Sequence, residues 1–377
     1  MKKKEIGILG CGGYIGKYVT EKLLRLGFCV RGAQRREIQN VETNSNFSFV
    51  SFDVKDKKKL DTFIQTCDVI VNCISPSHLY GKIVKDAVCK QNKIYIDPSD
   101  MIFENDKERR SEKIVASCGY IPGMSEFLPY IVSKQYFDEI DRGIIYQGGF
   151  DGCSAGAFVD MILGAGNKNL YGDTYILDGK ITPLSVSLNI KQKTPFTQEK
   201  VIFKPLINRD SIRLQRKMNS KEHYFFCTYD NKETLCFFMR LLMEVTKYDK
   251  TTAANNIKRR LYERIKNDET FGKDTVGAYL FFELLGKKSN KEKVIVGKVF
   301  LKNVNRLCGN FLGEIVKEIV MNPHKIAVGF NYGFEILDES YSKKMLSELE
   351  DGEYVKISEI PIQEKIDINN FIRRKGE

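Results

Sequence analysis

The run EIGILGCGGYIG, Glu5 to Gly16, constrains the chain more than any other stretch, because an apolar strand runs straight into a cluster of glycines and then into a helix. After Ile6 to Leu9 the chain must turn sharply, and Gly10 can take backbone angles closed to other residues. Gly12 and Gly13 carry no Cβ to keep a pyrophosphate off the backbone, and Gly16 lets the next helix lie close on the strand. Phosphates then meet the free N–H groups of a helix N-terminus. Ile15, Val19, Leu23 and Leu26 recur at helical spacing and face a sheet, with Lys17, Glu21 and Lys22 toward water. Gly27 is placed to cap the helix, and a second strand follows from Phe28 to Ala33. Strand, glycine turn, helix and strand fit within about thirty residues, the context that separates a dinucleotide cradle from a chance turn.

The end of the second strand predicts which dinucleotide. An NAD site places an Asp or Glu there for the ribose hydroxyls, whereas a 2′-phosphate calls for cations. This chain reads RGAQRR, Arg31 to Arg36, with no carboxylate before Glu37. Arg35 and Arg36 offer planar, bidentate donors, so NADP(H) is the expected cofactor; the competing reading is two solvated arginines in a charged chain.

Composition excludes several classes. A chain of 377 residues is long for a single core, and two domains are expected. The ten cysteines are scattered without a CxxC pair and read as reduced, buried thiols. The three histidines, His78, His223 and His324, lack metal-ligand spacing, so no metal site is expected. No apolar window is long enough to span a bilayer, and the lysine-led start MKKKEIGILG runs into the glycine turn rather than a cleavage site. The reading is a cytoplasmic protein with no membrane partner. The net charge of +11 suits an anionic cofactor or substrate. No basic stripe interleaves with stacking aromatics, so nucleic acid is not an expected partner.

The α/β alternation continues to about residue 125. It places strands at Phe47 to Phe52, Cys67 to Ser75, Lys93 to Ile96 and Ile114 to Ser117, and helices at Lys57 to Thr66, Tyr80 to Gln91 and Glu104 to Lys113. The turns after the later strands are chemically distinct: ISPSHLYG, then DPSD at Asp97 to Asp100, then CGYIPGMSE at Cys118 to Glu126. In an open parallel sheet all three emerge at the ligand-binding edge.

Together these segments resemble the saccharopine dehydrogenase-like family of NADP-binding oxidoreductases. The matching positions are Asn72 with Pro76, Tyr95 with Asp97, and Gly119 with Pro122 and Gly123, and the stretch Val328 to Tyr354 is similar to the family's C-terminal region. The resemblance implies an α/β fold: an N-terminal doubly wound Rossmann domain with a parallel sheet, joined to a C-terminal α+β domain with a mostly antiparallel sheet. The expected boundaries are 1–125 for the NADP-binding domain, 126–330 for a substrate and dimerisation domain, and 331–377 for a closing segment. The helix near 305–322 and the tail are expected to pack back on the first domain. The implied activity is NADPH-dependent hydride transfer to an imine or related C=N bond, by a homodimer acting on an anionic small molecule or one tethered to a carrier or peptide. An extended short-chain-type carbonyl reductase and a non-catalytic NADPH-sensing regulator stay open beside it. The former needs a Tyr-x-x-x-Lys pair, which Tyr130 and Lys134 satisfy in spacing.

The cofactor-facing set is therefore Gly10, Gly12, Gly13, Tyr14, Ile15, Gly16, Arg35, Arg36, Asp53, Val54, Ser75 and Pro76. Asp97, His78 and Tyr80 are the candidates for catalysis, with Asp97 as acid, base or iminium stabiliser and the other two as proton donors. Capping of the next turn is the competing role for Asp97. Asp151, Asp160 and Asn167 around an apolar helix are candidates to meet an amino group, and Arg142, Arg209 and Arg213 to clamp a carboxylate.

Overall fold

The computed structural model describes residues 4–37, 45–99, 112–149, 154–166, 170–184, 191–267 and 277–370. The chain divides into two units. One comprises Met1–Met124, Cys153–Met161 and Asn305–Tyr341; the other comprises Ser125–Gly152, Ile162–Val304 and Ser342–Glu377.

The first unit is built on β1 (Glu5–Leu9), α1 (Gly16–Arg25), β2 (Cys29–Gln34), β3 (Phe47–Ser51), α2 (Lys57–Gln65), β4 (Val69–Asn72), α3 (Ser77–Lys90), β5 (Ile94–Ile96) and β6 (Lys113–Ala116). A seventh strand, Gly329–Tyr332, returns from the far end of the chain and joins β6. All the pairings are parallel, and the order is Gly329–Tyr332, β6, β5, β4, β1, β2, β3. The strand order reverses between β1 and β4, the switch point at which such sheets open a crevice for ligand. Ile6, Ile8, Val69, Ile70 and Val71 are buried with almost no accessible surface, as strands covered by helices on both faces require.

The helix Val304–Met321 packs on α1 through two glycines one turn apart. A Cβ on Gly309 would lie 2.4 Å from Cβ of Tyr18, and one on Gly313 would lie 2.6 Å from Cγ of Lys22. The approach buries Lys22, whose ammonium meets Glu314 at 3.1 Å. Lys22 was expected to face water; the distant helix covers that side of α1, and the cation stays because a carboxylate comes with the cover.

The second unit is centred on a sheet with the order Lys180–Pro183, Thr174–Leu177, Glu222–Tyr229, β7 (Glu139–Gly149), Ala278–Lys288, Lys291–Leu301 and Tyr354–Ile360. Only the pairing of β7 with Glu222–Tyr229 is parallel in this run. The helices of this unit include α4 (Met124–Tyr136), most of which lies in it. One sheet face is aromatic: Tyr146 stacks on Phe281 with centroids 4.5 Å apart and meets Phe203 edge-on at 5.1 Å, the two geometries that ring quadrupoles favour.

Three expectations are corrected. The tail from Ser342 groups with the second unit rather than the first, and its strand Tyr354–Ile360 extends the second sheet by pairing with Lys291–Leu301. Its alternation was masked in the sequence because YVKISEI is an edge strand with little apolar surface to bury. The third helix begins at Ser77, three residues before the expected Tyr80, because Pro76 sits at its N-cap. Of the helix expected over 104–113, residues 104–111 lie outside the described residues, and Lys113 opens β6 instead.

Candidate functional site

The glycine turn has the geometry that its sequence requires. Gly10 takes φ +82°, and its N–H and that of Cys11 both reach the Ala33 carbonyl on β2, at 2.7 and 3.4 Å. Gly13 N–H closes the turn on the Gly10 carbonyl at 2.9 Å. A Cβ on Gly16 would stand 2.1 Å from that same carbonyl oxygen, so only glycine lets α1 start so close to the strand end. Ile15 is the N-cap and contributes no side-chain bond; Lys17 N–H turns back to the Gly13 carbonyl and Tyr18 N–H to that of Ile15, so the N–H groups of Tyr14, Ile15 and Gly16 are the ones placed to meet a ligand. Tyr14 beside them is exposed.

At the end of β2 the Arg35 and Arg36 side chains are exposed, and their backbone is fastened on two sides. Ser51 Oγ donates to the Arg35 carbonyl at 3.0 Å, and Gln34 Nε2 donates to the Arg36 carbonyl at 2.8 Å. Gln34 Oε1 accepts from Gly12 N–H at 3.0 Å, joining the glycine turn to the arginine arm. Sequence reasoning passed over Gln34, although its place as the last residue of the second strand is the signal that marks it. Asp53 spends Oδ1 on Lys55 N–H in a local turn, and Val54 is buried in the apolar cluster with Leu9, Ala33 and Phe52.

The ends of β4 and β5 carry a different chemistry. Asp97 has no accessible surface. Its Oδ2 accepts from Asn72 Nδ2 at 2.8 Å, from Ser77 Oγ at 3.2 Å and from the Tyr95 hydroxyl. Its Oδ1 accepts from Ser99 N–H at 2.8 Å and Ser99 Oγ at 2.9 Å. Burial raises the carboxyl above its ordinary value, against the lowering effect of the bonds from Tyr95, Ser99 and Asn72. The same burial, with Asp97 beside it, pushes the Tyr95 phenol up, so Tyr95 stays a donor. Asp97, the acid or base expected from the sequence, has no exposed surface in this arrangement and spends both oxygens on internal donors. It ties β4, β5, α3 and the Asp97–Ser99 turn together, and the Ser99 bond is the turn cap that competed with the catalytic reading.

Asp160, on α5 (Ala155–Ala165), reaches the start of α3 from 83 residues away. Its Oδ2 accepts from Ser77 N–H at 2.7 Å and its Oδ1 from His78 N–H at 2.9 Å, supplying the cap that Pro76 cannot. Gly156, one turn earlier, lies against Ser75: a Cβ there would be 2.3 Å from Ser75 Oγ. Burial pushes the Asp160 carboxyl up to about 7, opposed by those two N–H groups, with Asp97 adding to the rise. Asp160, expected to meet a substrate amino group, is engaged by backbone instead.

Ser75 is exposed, Pro76 and His78 are half-buried, and the three line the segment that α5 holds. The Tyr80 ring packs on the core cluster with the Lys55 ammonium 5.5 Å from its centroid, which makes it a packing residue. Arg142, a candidate carboxylate clamp, is bonded internally to Glu283 at 3.0 Å and to the Ile366 carbonyl at 2.8 Å. Tyr130 is buried, with the Lys134 ammonium over its ring face at 4.4 Å rather than beside its hydroxyl. Asp151 and Asn167 lie outside the described residues. Cys11 is buried, its thiol pushed up to about 12 by desolvation, and Cys118 is buried as well, so neither has the character of a nucleophile. Among the described residues no cluster of metal-ligating side chains occurs, and no helix is long and apolar enough to cross a membrane.

The glycine turn and the helix it opens fit a dinucleotide phosphate, and the strand end beside them offers amide and guanidinium donors with no described carboxylate before Glu37. Comparison with known proteins agrees. Residues 6–117 match the family described as Saccharopine dehydrogenase NADP binding domain. A human saccharopine dehydrogenase-like oxidoreductase is 25% identical over 171 residues, covering 39% of this chain and 34% of that protein. A lipid droplet localized protein of Caenorhabditis elegans is 22% identical over 144 residues, covering 32% of this chain and 34% of its own length. The chain thus spans about a third of the length of the curated relatives it matches. The apo saccharopine dehydrogenase (L-Glu forming) of Saccharomyces cerevisiae superposes with a TM-score of 0.60 over 95% of this chain and 100% of that one, at 14% identity, a likeness of fold. Residues 6–117, on a doubly wound parallel sheet, thus resemble the NADP-binding domain of saccharopine dehydrogenase and its oxidoreductase relatives.

Proposed function

We propose that the protein is an NADPH-dependent reductase that delivers hydride to the carbon of an imine or related C=N bond, on an anionic small molecule or one tethered to a carrier. NADPH would supply the hydride. The N–H groups of Tyr14, Ile15 and Gly16 would hold its pyrophosphate, Gly12 and Gly13 would give it room by lacking side chains, and Arg35 and Arg36 would hold its 2′-phosphate. The reading is supported by one observation: the glycine turn that opens α1 is tied through Gln34 to an arginine arm fastened at both of its carbonyls. Ser75 and Pro76 would face the nicotinamide from the end of β4, and the half-buried His78 just past them would pass a proton to the product nitrogen. Asp97 and Asp160 act through the segment they position. The Lys134 ammonium over the Tyr130 ring argues against the short-chain pairing of a tyrosine acid with its lysine.

The test is NADPH oxidation, followed at 340 nm, with keto acids and aldehydes offered together with amino acids. Turnover that needs both the carbonyl and the amine supports the reading. Turnover of carbonyls alone replaces it with a carbonyl reductase, and tight NADPH binding without turnover replaces it with a sensor. The same proposal makes the protein a cytoplasmic homodimer; since one relative is named for lipid droplets, recovery of this protein in a floated lipid fraction would overturn that part.

A further inference from the structure

Gln34 bridges the two segments that the proposed function gives to the adenosine half of the cofactor. Both of its partners are backbone groups of fixed polarity: Gly12 N–H must donate and the Arg36 carbonyl must accept. The amide therefore sits one way round, with Oε1 on the glycine turn and Nε2 on the arginine arm. The fit is close. A Cβ on Gly12 would stand 2.6 Å from Oε1 and 3.1 Å from Nε2, so glycine at 12 is what lets the amide lie on the loop. The neighbouring turns spend the N–H groups of Gly10 and Cys11 on Ala33 and that of Gly13 on Gly10, leaving Gly12 N–H for Gln34.

Gln34 is the last residue of β2, where a carboxylate accepting from both ribose hydroxyls selects NAD. Glutamine has the shape of glutamate without the charge. Of its two Nε2 hydrogens one goes to Arg36, and the second is a donor for a phosphate oxygen. Arg35 and Arg36 are long and exposed, so they add attraction to any anion, whereas the amide is held at one point by two bonds. We propose that Gln34 is the specificity-determining residue for the 2′-phosphate: its amide accepts NADPH at the position where a carboxylate would exclude it, and its Arg36 bond sets the arm that the arginines reach from. The inference rests on the NADPH reading above.

The experiment is a set of binding titrations that needs no substrate: nicotinamide fluorescence for NADPH and NADH, and calorimetry for 2′,5′-ADP and 5′-AMP, on wild type, Gln34→Glu and Gln34→Ala. Wild type prefers the 2′-phosphorylated member of each pair. Gln34→Glu should weaken NADPH and 2′,5′-ADP by ~30-fold or more through like-charge repulsion, with NADH held or tightened. Gln34→Ala, which removes the bridge without adding charge, should weaken NADPH by less than about tenfold. An NADPH-to-NADH ratio in Gln34→Glu that moves no further than in Gln34→Ala overturns the role of Gln34 and leaves the cofactor reading standing. Wild type that binds neither NADPH nor 2′,5′-ADP overturns the cofactor reading itself.

Discussion

At the end of β2 the chain leaves two arginines open to solvent beside the glycine turn, whereas around the ends of β4 and β5 it turns two carboxylates inward and surrounds them with donors. The first region is short-range and cheap to form: Gln34 lies 22 residues from Gly12, and every group used is backbone or a flexible side chain. The second joins residues 72, 77, 95, 97, 99 and 160, of which Asn72, Ser77, Tyr95 and Asp97 are buried and Ser99 and Asp160 half-buried. A donor left open is free to meet a ligand. A donor buried against a carboxylate fixes geometry, and its loss costs the desolvation of whatever remains unpaired. The two ends should therefore respond oppositely to substitution, one in binding and the other in stability.

The largest effect should come from Asp97→Asn. Each carboxylate oxygen faces at least two donors, so whichever way the new amide turns, its NH2 points at donors in a dry site. A loss of about 3 kcal/mol in urea unfolding is expected, with the choice between NADPH and NADH unchanged. A loss under about 1 kcal/mol would show that water reaches the network and would erase the contrast. Gly16→Ala comes next and crosses the boundary between the two behaviours. Its methyl group would press on the Gly10 carbonyl, where backbone must move, so about 2 kcal/mol of stability and most of the NADPH affinity should go together. Stability falling while affinity stays would separate the turn from the cofactor. Replacing Arg35 by Ser and Arg36 by Asp belongs wholly to the open end. NADPH should weaken by roughly 10- to 100-fold, NADH by less than about threefold, and unfolding should move by no more than about 0.5 kcal/mol. Equal losses for both cofactors would return the arginines to the role of solvated surface.

What the sequence made legible follows the same division. The glycine turn, α1 and the parallel strands are local: their spacing, burial pattern and positive-φ glycine all lie within a few residues of one another, so periodicity and turn chemistry suffice. The carboxylate network is not local. Asp97 read as a catalytic group because Asp-Pro-Ser-Asp at a strand end looks exposed, and nothing nearby in sequence shows that Asn72 and Tyr95 close over it. Asp160 stood out as the lone carboxylate of an apolar helix, yet its partner is the start of another helix 83 residues earlier. Lys22 kept its charge through burial by pairing with Glu314, a contact that no helical pattern within 16–25 reveals. Gln34 was missed for a different reason. Its signal is its position at a strand end, and the two arginines after it drew the chemical argument instead.

The last prediction concerns pH and tests the buried end directly. Burial raises the Asp160 carboxyl to about 7 in the folded protein, from an ordinary value of 3.8. A carboxyl with a raised folded value binds its proton more tightly folded than unfolded, so its contribution to stability is complete below the unfolded value and is lost as pH climbs toward 7. Above pH 7 the contribution is flat. Asp160→Asn carries no charge at any pH and keeps a carbonyl oxygen for one of the two N–H groups of Ser77 and His78. The variant should match wild type near pH 4 and gain on it as pH rises from 5 to 7, the window in which the raised carboxyl loses its proton. Urea midpoints of the two proteins at pH 5, 6, 7 and 8 make the comparison. If the variant instead loses ground as pH rises, the two N–H bonds and the helix N-terminus outweigh burial. Asp160 would then be an ionised cap, and the α3 start would join β2's end as a place that favours negative charge.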